Sequence, residues 1–254
     1  MQKFLTETEQ WLDRLYVAAE GASLRREDRR KAVETAAMLI EIERAVARLS
    51  GRKGLLLLDA AAGKSYVGLL AAKLILAPRG DASSVVTLER DPRRVEASRR
   101  AAERLEAGIP VTCLRAEVGD AAAWPAEPSI VTALHACGDA ADAVIDRAVS
   151  CRARVLLVVP CCTSRAVRAS ALAERRAAAL DIPRHAPVRR RFIQALVDAE
   201  RTWRLEAAGY ETEVVEFVPP TVTPHNLLWR ARRVGEPRRM AAARAAWERL
   251  SADG

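Results

Sequence analysis

Aromatic side chains are scarce in this chain of 254 residues: five Trp, three Tyr and three Phe, 4% of the total. A core must therefore be built from aliphatic residues, and few rings are on hand to stack against bases. Lysine is nearly as rare. Lys3, Lys31, Lys53, Lys64 and Lys73 are all there are, so the net charge of +8 is carried by arginine amid abundant alanine. A basic balance attracts polyanions, although a GC-rich coding sequence produces the same bias without any ligand. No apolar run approaches the roughly 20 residues that span a bilayer. The opening segment, MQKFLTETEQWLDR, is charged and lacks the apolar stretch of a secretory signal. The expectation is a cytoplasmic protein with no membrane partner. Five cysteines, an odd number, argue against a disulfide scaffold, and Cys113, Cys137, Cys151, Cys161 and Cys162 are read as reduced thiols. Two nucleotide signatures are missing. There is no G-x-G-x-x-G, and although Gly63-Lys64-Ser65 matches the end of a phosphate loop, Leu58 stands where its first glycine belongs.

Half of the residues are apolar, and their period changes along the chain. Residues 1–50 read as a helical extension. Val33, Ala36, Ala37, Ile40 and Val46 recur at helical spacing, Arg29, Arg30 and Glu34 fall on the opposite face, and Gly51 is a candidate cap. Short apolar runs then alternate with helical stretches. Strands are expected at 54–59, 84–89, 111–116, 129–134 and 154–159, with helices at 66–76, 92–107 and 140–149. Helical sequence fills 165–180 and 188–208. Two strand-like runs, 211–218 and 226–233, are joined by the short link PPTVTPH and imply an antiparallel hairpin. Residues 236–254 are assigned to a final helix and its tail. The fold expected for 51–235 is thus α/β, a doubly wound, mostly parallel seven-stranded sheet of the Rossmann-like type ending in a hairpin.

In such sheets ligands bind beyond the carboxyl ends of the strands. The first strand ends at Asp59, followed by the small-residue loop AAAGKS. The second ends at Glu89, where a carboxylate can accept two hydrogen bonds from a ribose diol. Ala61 suits the loop only if its φ is negative. The fourth strand ends in Leu134-His-Ala-Cys-Gly-Asp139 and the fifth in Pro160-Cys-Cys162. His135 has the titration range of a general base, and Asp139 could orient it or the acceptor. The alternative is a packed histidine. His135, Cys137, Cys161 and Cys162 could also bind zinc, but H-x-C and C-C are unusual spacings, and small buried thiols are the preferred reading. Cys113 and Cys151 read as structural. His225 and Asn226, in the final hairpin, could reach an acceptor or simply shape the turn. Tyr66 and Trp124 are near the site in sequence and equally suited to the core. Arginines crowd 165–191, either along a phosphate backbone or on a solvated face.

Asp59-Ala-Ala-Ala-Gly63-Lys64-Ser65 resembles the D-x-G-x-G-x-G motif of class I S-adenosylmethionine-dependent methyltransferases, with Ala61 and Ser65 in place of two glycines. Glu89 falls where their ribose-binding acid falls. Glu117 lies where that family often meets the adenine, with Asp120 as its alternate. The paired LHACGD and PCC segments resemble a subgroup found in glutathione S-transferase C-terminal-domain-containing proteins and RNA-directed relatives, including a tRNA 2′-O-methyltransferase family. The resemblance spans roughly 54–233. It implies S-adenosylmethionine as cofactor, with Asp59, Ala60, Ala61, Gly63, Lys64, Glu89, Glu117 and Leu134 as the expected contacts; His135 and Asp139 are the catalytic candidates on their own chemistry, and no metal is expected from the ligand spacing. The acceptor is left open, with RNA, through the 165–191 stretch, slightly ahead of protein. A non-catalytic domain of the same fold is the remaining rival.

Overall fold

Period-two burial in the strands organises the chain into three layers. In the computed structural model, which describes residues 2–18, 21, 23–49, 51, 54–161 and 166–252, Leu57, Leu157 and Val159 point into one apolar cluster, and Leu58, Leu156 and Val158 into a second on the opposite face of the sheet. A strand buried on both faces needs no polar alternation, which is why these segments read as continuous apolar runs.

The sheet has seven strands: β1 (Leu56–Ala60), β2 (Ser84–Glu89), β3 (Val111–Arg115), β4 (Ile130–Ala136), β5 (Val155–Pro160), β6 (Tyr210–Glu216) and β7 (Leu227–Arg233). Their order is β3-β2-β1-β4-β5-β7-β6. The first five run parallel, and the β6–β7 hairpin joins β5 antiparallel through β7. The chain reverses direction across the sheet between β1 and β4, so the carboxyl ends of these strands open a crevice.

One face is covered by α1 (Gln2–Leu12), α2 (Arg26–Arg48), α3 (Tyr66–Ala71) and α4 (Pro92–Leu105). The other is covered by α5 (Ala140–Ser150) and α7 (Ala186–Ala207), flanked by α6 (Ser170–Ala179) and α8 (Pro237–Ser251). A buried ion network ties this second layer together. Asp142 of α5 accepts from Arg201 at 3.2 Å and Arg204 at 2.7 Å, both on α7, and from the backbone N–H of Arg168 at 3.1 Å. No described helix is long and apolar enough to cross a membrane.

The elements differ from expectation in detail. α2 ends at Arg48 with Leu49 as its cap, two residues short of Gly51. α6 starts at Ser170, because Val167 and Ala169 pack as irregular chain into a small cluster with Ile193 and Val197. Glu34, placed above on the polar face of α2, is buried. α2 lies between α1 and the sheet, so its buried stripe is wider than one apolar face.

α3 approaches the sheet closely at Gly68. A Cβ there would stand 2.9 Å from Thr87 Cγ2 and 3.1 Å from Asp59 Cβ. Gly68→Ala is therefore expected to lower the free energy of unfolding by about 2 kcal/mol, the scale of overpacking a tight core, as measured by urea denaturation. An unchanged midpoint would mean that α3 moves away without cost.

Candidate active site

The turn out of β1 is made by backbone geometry that most residues avoid. Ala61, Gly63 and Ser65 have φ of 53°, 59° and 60°. These are the three glycine positions of the motif that the loop resembles, and all three take the left-handed conformation. The expectation that Ala61 keeps a negative φ is corrected. The path of the loop is retained, and the Cβ atoms at 61 and 65 carry a strain of about 1–2 kcal/mol each. The Ser65 hydroxyl is also buried with no hydrogen-bond partner among the described residues.

Two carboxylates hold this loop. Glu89 Oε2 accepts the Gly63 N–H at 2.8 Å, and Oε1 accepts the Asp91 N–H at 2.9 Å. Asp91 in turn caps α4, accepting from Arg93 N–H at 2.8 Å ahead of Pro92 at the first helical position. Asp59 lies deeper, 2% exposed, and accepts the Gly68 N–H at 2.9 Å. Burial raises its carboxyl to a pKa of about 7; the nearby Glu89 adds to the shift and the Gly68 hydrogen bond opposes it.

A cleft of about 390 Å³ opens beside this loop, within the size range of small-ligand sites. Ala61, Glu89, Glu117, His135 and Asp139 all line it, with Ala116, Val118 and Cys137. The other expected cofactor contacts lie off its wall. Asp59 sits beneath α3, Ala60 is fully buried, and Leu134 packs into the first apolar cluster. The Lys64 carbonyl accepts the Tyr16 hydroxyl at 2.6 Å, and its ammonium lies 5.8 Å from the centre of the Tyr16 ring. Tyr66 packs edge-on against Tyr16 at 4.7 Å. Trp124 is buried and donates to the Val118 carbonyl at 2.8 Å, bracing the cleft wall. Asp120 caps a short turn through Ala122 N–H at 3.0 Å, and the exposed Glu117 faces Arg90 at 3.9 Å.

His135 occupies a strained position. Its φ is 61°, and the β4–β5 register slips between Leu134 and Ala136, a bulge that turns the side chain toward the cleft. Its Nε2 lies 2.8 Å from Glu34 Oε1 on α2. Glu34 is thus the carboxylate that meets this ring, while Asp139 is exposed at the start of α5. Sequence reasoning missed Glu34. Its signal was the spacing Glu34, Ala37, Glu41, which places the acid on a stripe that the structure buries.

The thiols are also corrected. Cys137 and Cys161 form a disulfide, because β4 and β5 are neighbours and their ends bring the two Cα atoms to 5.3 Å. Cys113 and Cys151 are free. Cys162 and Arg165 lie outside the described residues. No group of three or more His, Cys, Asp or Glu among the described residues could hold a metal ion.

His225 is near enough to His135 for its imidazole to be held below its ordinary pKa, by burial first and by His135 second. Beside it is a cavity of about 80 Å³ lined by Pro160, Arg190, Gln194 and Asp198. Burial raises the Asp198 carboxyl to about 6 against the opposing pull of Arg201. Asn226 is buried and donates to the Val218 carbonyl at 3.0 Å, so it shapes the hairpin. Several arginines of 165–191 serve the chain itself. Arg168 pairs with Asp146, Arg176 binds the Ala252 carbonyl, and Arg189 grips Glu174 at 2.7 Å. Arg184, Arg190 and Arg191 remain exposed.

A seven-stranded sheet with this hairpin and a cleft at the ends of β1, β2 and β4 is the Rossmann-like methyltransferase architecture. The family described as "Methyltransferase domain" matches residues 29–168, more than half of the chain, and the chain belongs to that family. The match begins within α2 and includes Glu34. Among solved structures, the chain is similar to magnesium protoporphyrin IX methyltransferase from Synechocystis PCC 6803 with bound SAH. The TM-score is 0.53 and the identity 15%, over 92% of this chain and 97% of the other. It is also similar to the methyltransferase (CMeT) domain of the citrinin polyketide synthase, with a TM-score of 0.50 and 11% identity over 89% of this chain and 60% of that one. At these identities the likeness is one of fold. No curated protein sequence matches the chain.

Two outcomes follow from the loop. Ala61→Gly relieves a left-handed alanine and is expected to raise unfolding stability by about 1 kcal/mol; a loss of stability would show that the methyl group packs usefully. Asp59 predicts a pH dependence. An acid with a folded pKa near 7 keeps its proton in the native state where the unfolded chain has released it. Its contribution therefore falls as pH rises from the ordinary carboxylate range to about 7, and is flat above. Asp59→Asn should gain on the wild type between pH 4.5 and 8 in urea titrations. A constant difference across that range would rule out a protonated Asp59.

Proposed function

We propose that the protein transfers a methyl group from S-adenosylmethionine to a hydroxyl or amine acceptor on RNA, with His135 taking the acceptor's proton. The observation that carries the reading is the shared cleft: Ala61 of the loop, Glu89 at the end of β2 and His135 at the end of β4 form one wall.

The residues present fit the donor. Glu89 accepts two backbone N–H groups, and a carboxylate has about four acceptor sites, so it retains capacity for a ribose diol. Ala116 and Val118 supply an apolar surface beside Glu117, suited to an adenine. The positive φ at 61, 63 and 65 brings the backbone of the loop close to the cleft. When bound, S-adenosylmethionine supplies an electrophilic methyl group on a sulfonium. The chain's own task is alignment of the acceptor and removal of its proton. His135 faces the cleft with a carboxylate behind it, the arrangement of a general base. His225 and the Arg190-lined cavity adjoin it on the side away from Glu89, where an acceptor would enter.

Three features favour RNA: the net charge of +8, the exposed Arg184 ahead of α7 with Arg190 and Arg191 in its first turns, and the resemblance of the LHACGD and PCC segments to those of RNA-directed relatives. The test is a transfer assay with labelled methyl donor on total RNA and on total protein. Label is expected in RNA, and His135→Ala is expected to lower the rate by about 10²- to 10⁴-fold. Label confined to protein would overturn the RNA acceptor while leaving methyl transfer standing.

A further inference from the structure

We propose that Glu34 is a positioning residue for His135, so that the first long helix of the chain completes the active site. The proposal rests on the reading of His135 as base.

Three observations converge on it. Glu34 is 7% exposed, on a helix packed between α1 and the sheet. A carboxylate is costly to bury unless it is hydrogen-bonded, and its Oε1 lies 2.8 Å from His135 Nε2. Two buried acids at the ends of β1 and β2 serve other groups: Glu89 holds Gly63 and Asp91, and Asp59 holds Gly68. Finally, the His135 backbone is left-handed at a bulge, and the hydrogen-bond partner of its ring lies beyond its own strand. α2 provides that partner.

The geometry sets the proton inventory. Because a carboxylate only accepts, Nε2 carries the hydrogen and Nδ1 carries the lone pair. As the acceptor oxygen or nitrogen would form its bond to the methyl carbon, the carbon–sulfur bond of the donor would break with its electron pair left on the departing thioether sulfur, and the acceptor's bond to hydrogen would break as well. The electron pair of that bond stays on the acceptor atom, and the proton passes to Nδ1. The resulting imidazolium is balanced by the Glu34 carboxylate. The charged and titratable groups that share the cleft with the ring are Asp139 at the start of α5, and Glu89, Arg90, Arg94 and Glu117 from the β2 and β3 side; His225 adjoins it from the hairpin. None of these is hydrogen-bonded to Nε2.

The chain has only three histidines, His135, His185 and His225, so nitrogen NMR of the imidazoles can be assigned by single substitutions in the full-length protein. The wild type is expected to show His135 as the Nε2–H tautomer. Glu34→Ala should give a mixture of tautomers, and Glu34→Gln, which keeps the shape and an accepting oxygen, should restore the Nε2–H form. In the transfer assay, both variants should lower kcat by at least about tenfold with KM for the methyl donor unchanged, and thermal melts would confirm folding. A persistent Nε2–H tautomer in Glu34→Ala, or kcat within twofold of wild type in both variants, overturns the proposal. Activity retained by His135→Ala overturns instead the reading on which it rests. Activity lost in His135→Ala but kept in both Glu34 variants overturns only the role of Glu34.

Discussion

Glu89 accepts one hydrogen bond from the loop after β1 and another from the start of α4, and the site depends on those two bonds. They fix Gly63 against the end of β2, and through Asp91 they fix the first turn of α4. The loop needs such a tether. Three of its residues are left-handed and two of those carry a Cβ, so local preference alone would not hold the turn. Asp59 and Gly68 anchor it from beneath, a buried carboxyl against a helix that only glycine allows so near. The protein thus keeps the course of a glycine-rich loop with fewer glycines, and tertiary hydrogen bonds offset the strain.

The same economy appears at the ends of β4 and β5. A bulge turns His135 toward the cleft, a disulfide joins Cys137 to Cys161 one residue beyond the strands' last paired positions, and α2 contributes the carboxylate that holds the imidazole. On the other side of the sheet, Asp142 grips two arginines of α7 and the backbone of Arg168, which anchors the chain shortly after β5. The cleft is therefore framed by elements from both helical layers. The matched family region begins within α2 and includes Glu34.

Much of this was legible in the sequence. The runs at 54–59, 84–89 and 154–159 are short and apolar, as strands of a doubly covered parallel sheet are, and the short link PPTVTPH implies a hairpin between the segments it joins. Glu89 and His135 stood out because strand ends are where such sheets bind ligands. What escaped notice is what depends on three dimensions. Glu34 lies 101 residues from His135, and a helical wheel separates polar from apolar but not exposed from doubly packed. The pairing of Cys137 with Cys161 depends on which strands are neighbours, and an odd cysteine count says nothing against one such pair. Alanine prefers a negative φ, but the fold imposes a positive one at Ala61. The arginine-rich stretch read as one basic surface, yet Arg168, Arg176 and Arg189 are engaged within the chain.

The central physical claim is that the Glu89 carboxylate and the strained loop at 61–65 frame a cleft for an adenosyl group. Isothermal titration of the full-length protein with S-adenosylmethionine measures this directly. Saturable one-to-one binding is expected below about 1 mM, the upper range of enzyme–substrate constants, and it should weaken strongly in Glu89→Ala. A folded sample that gives no binding heat at millimolar S-adenosylmethionine, or a Glu89→Ala protein that binds as well as wild type, would contradict that assignment.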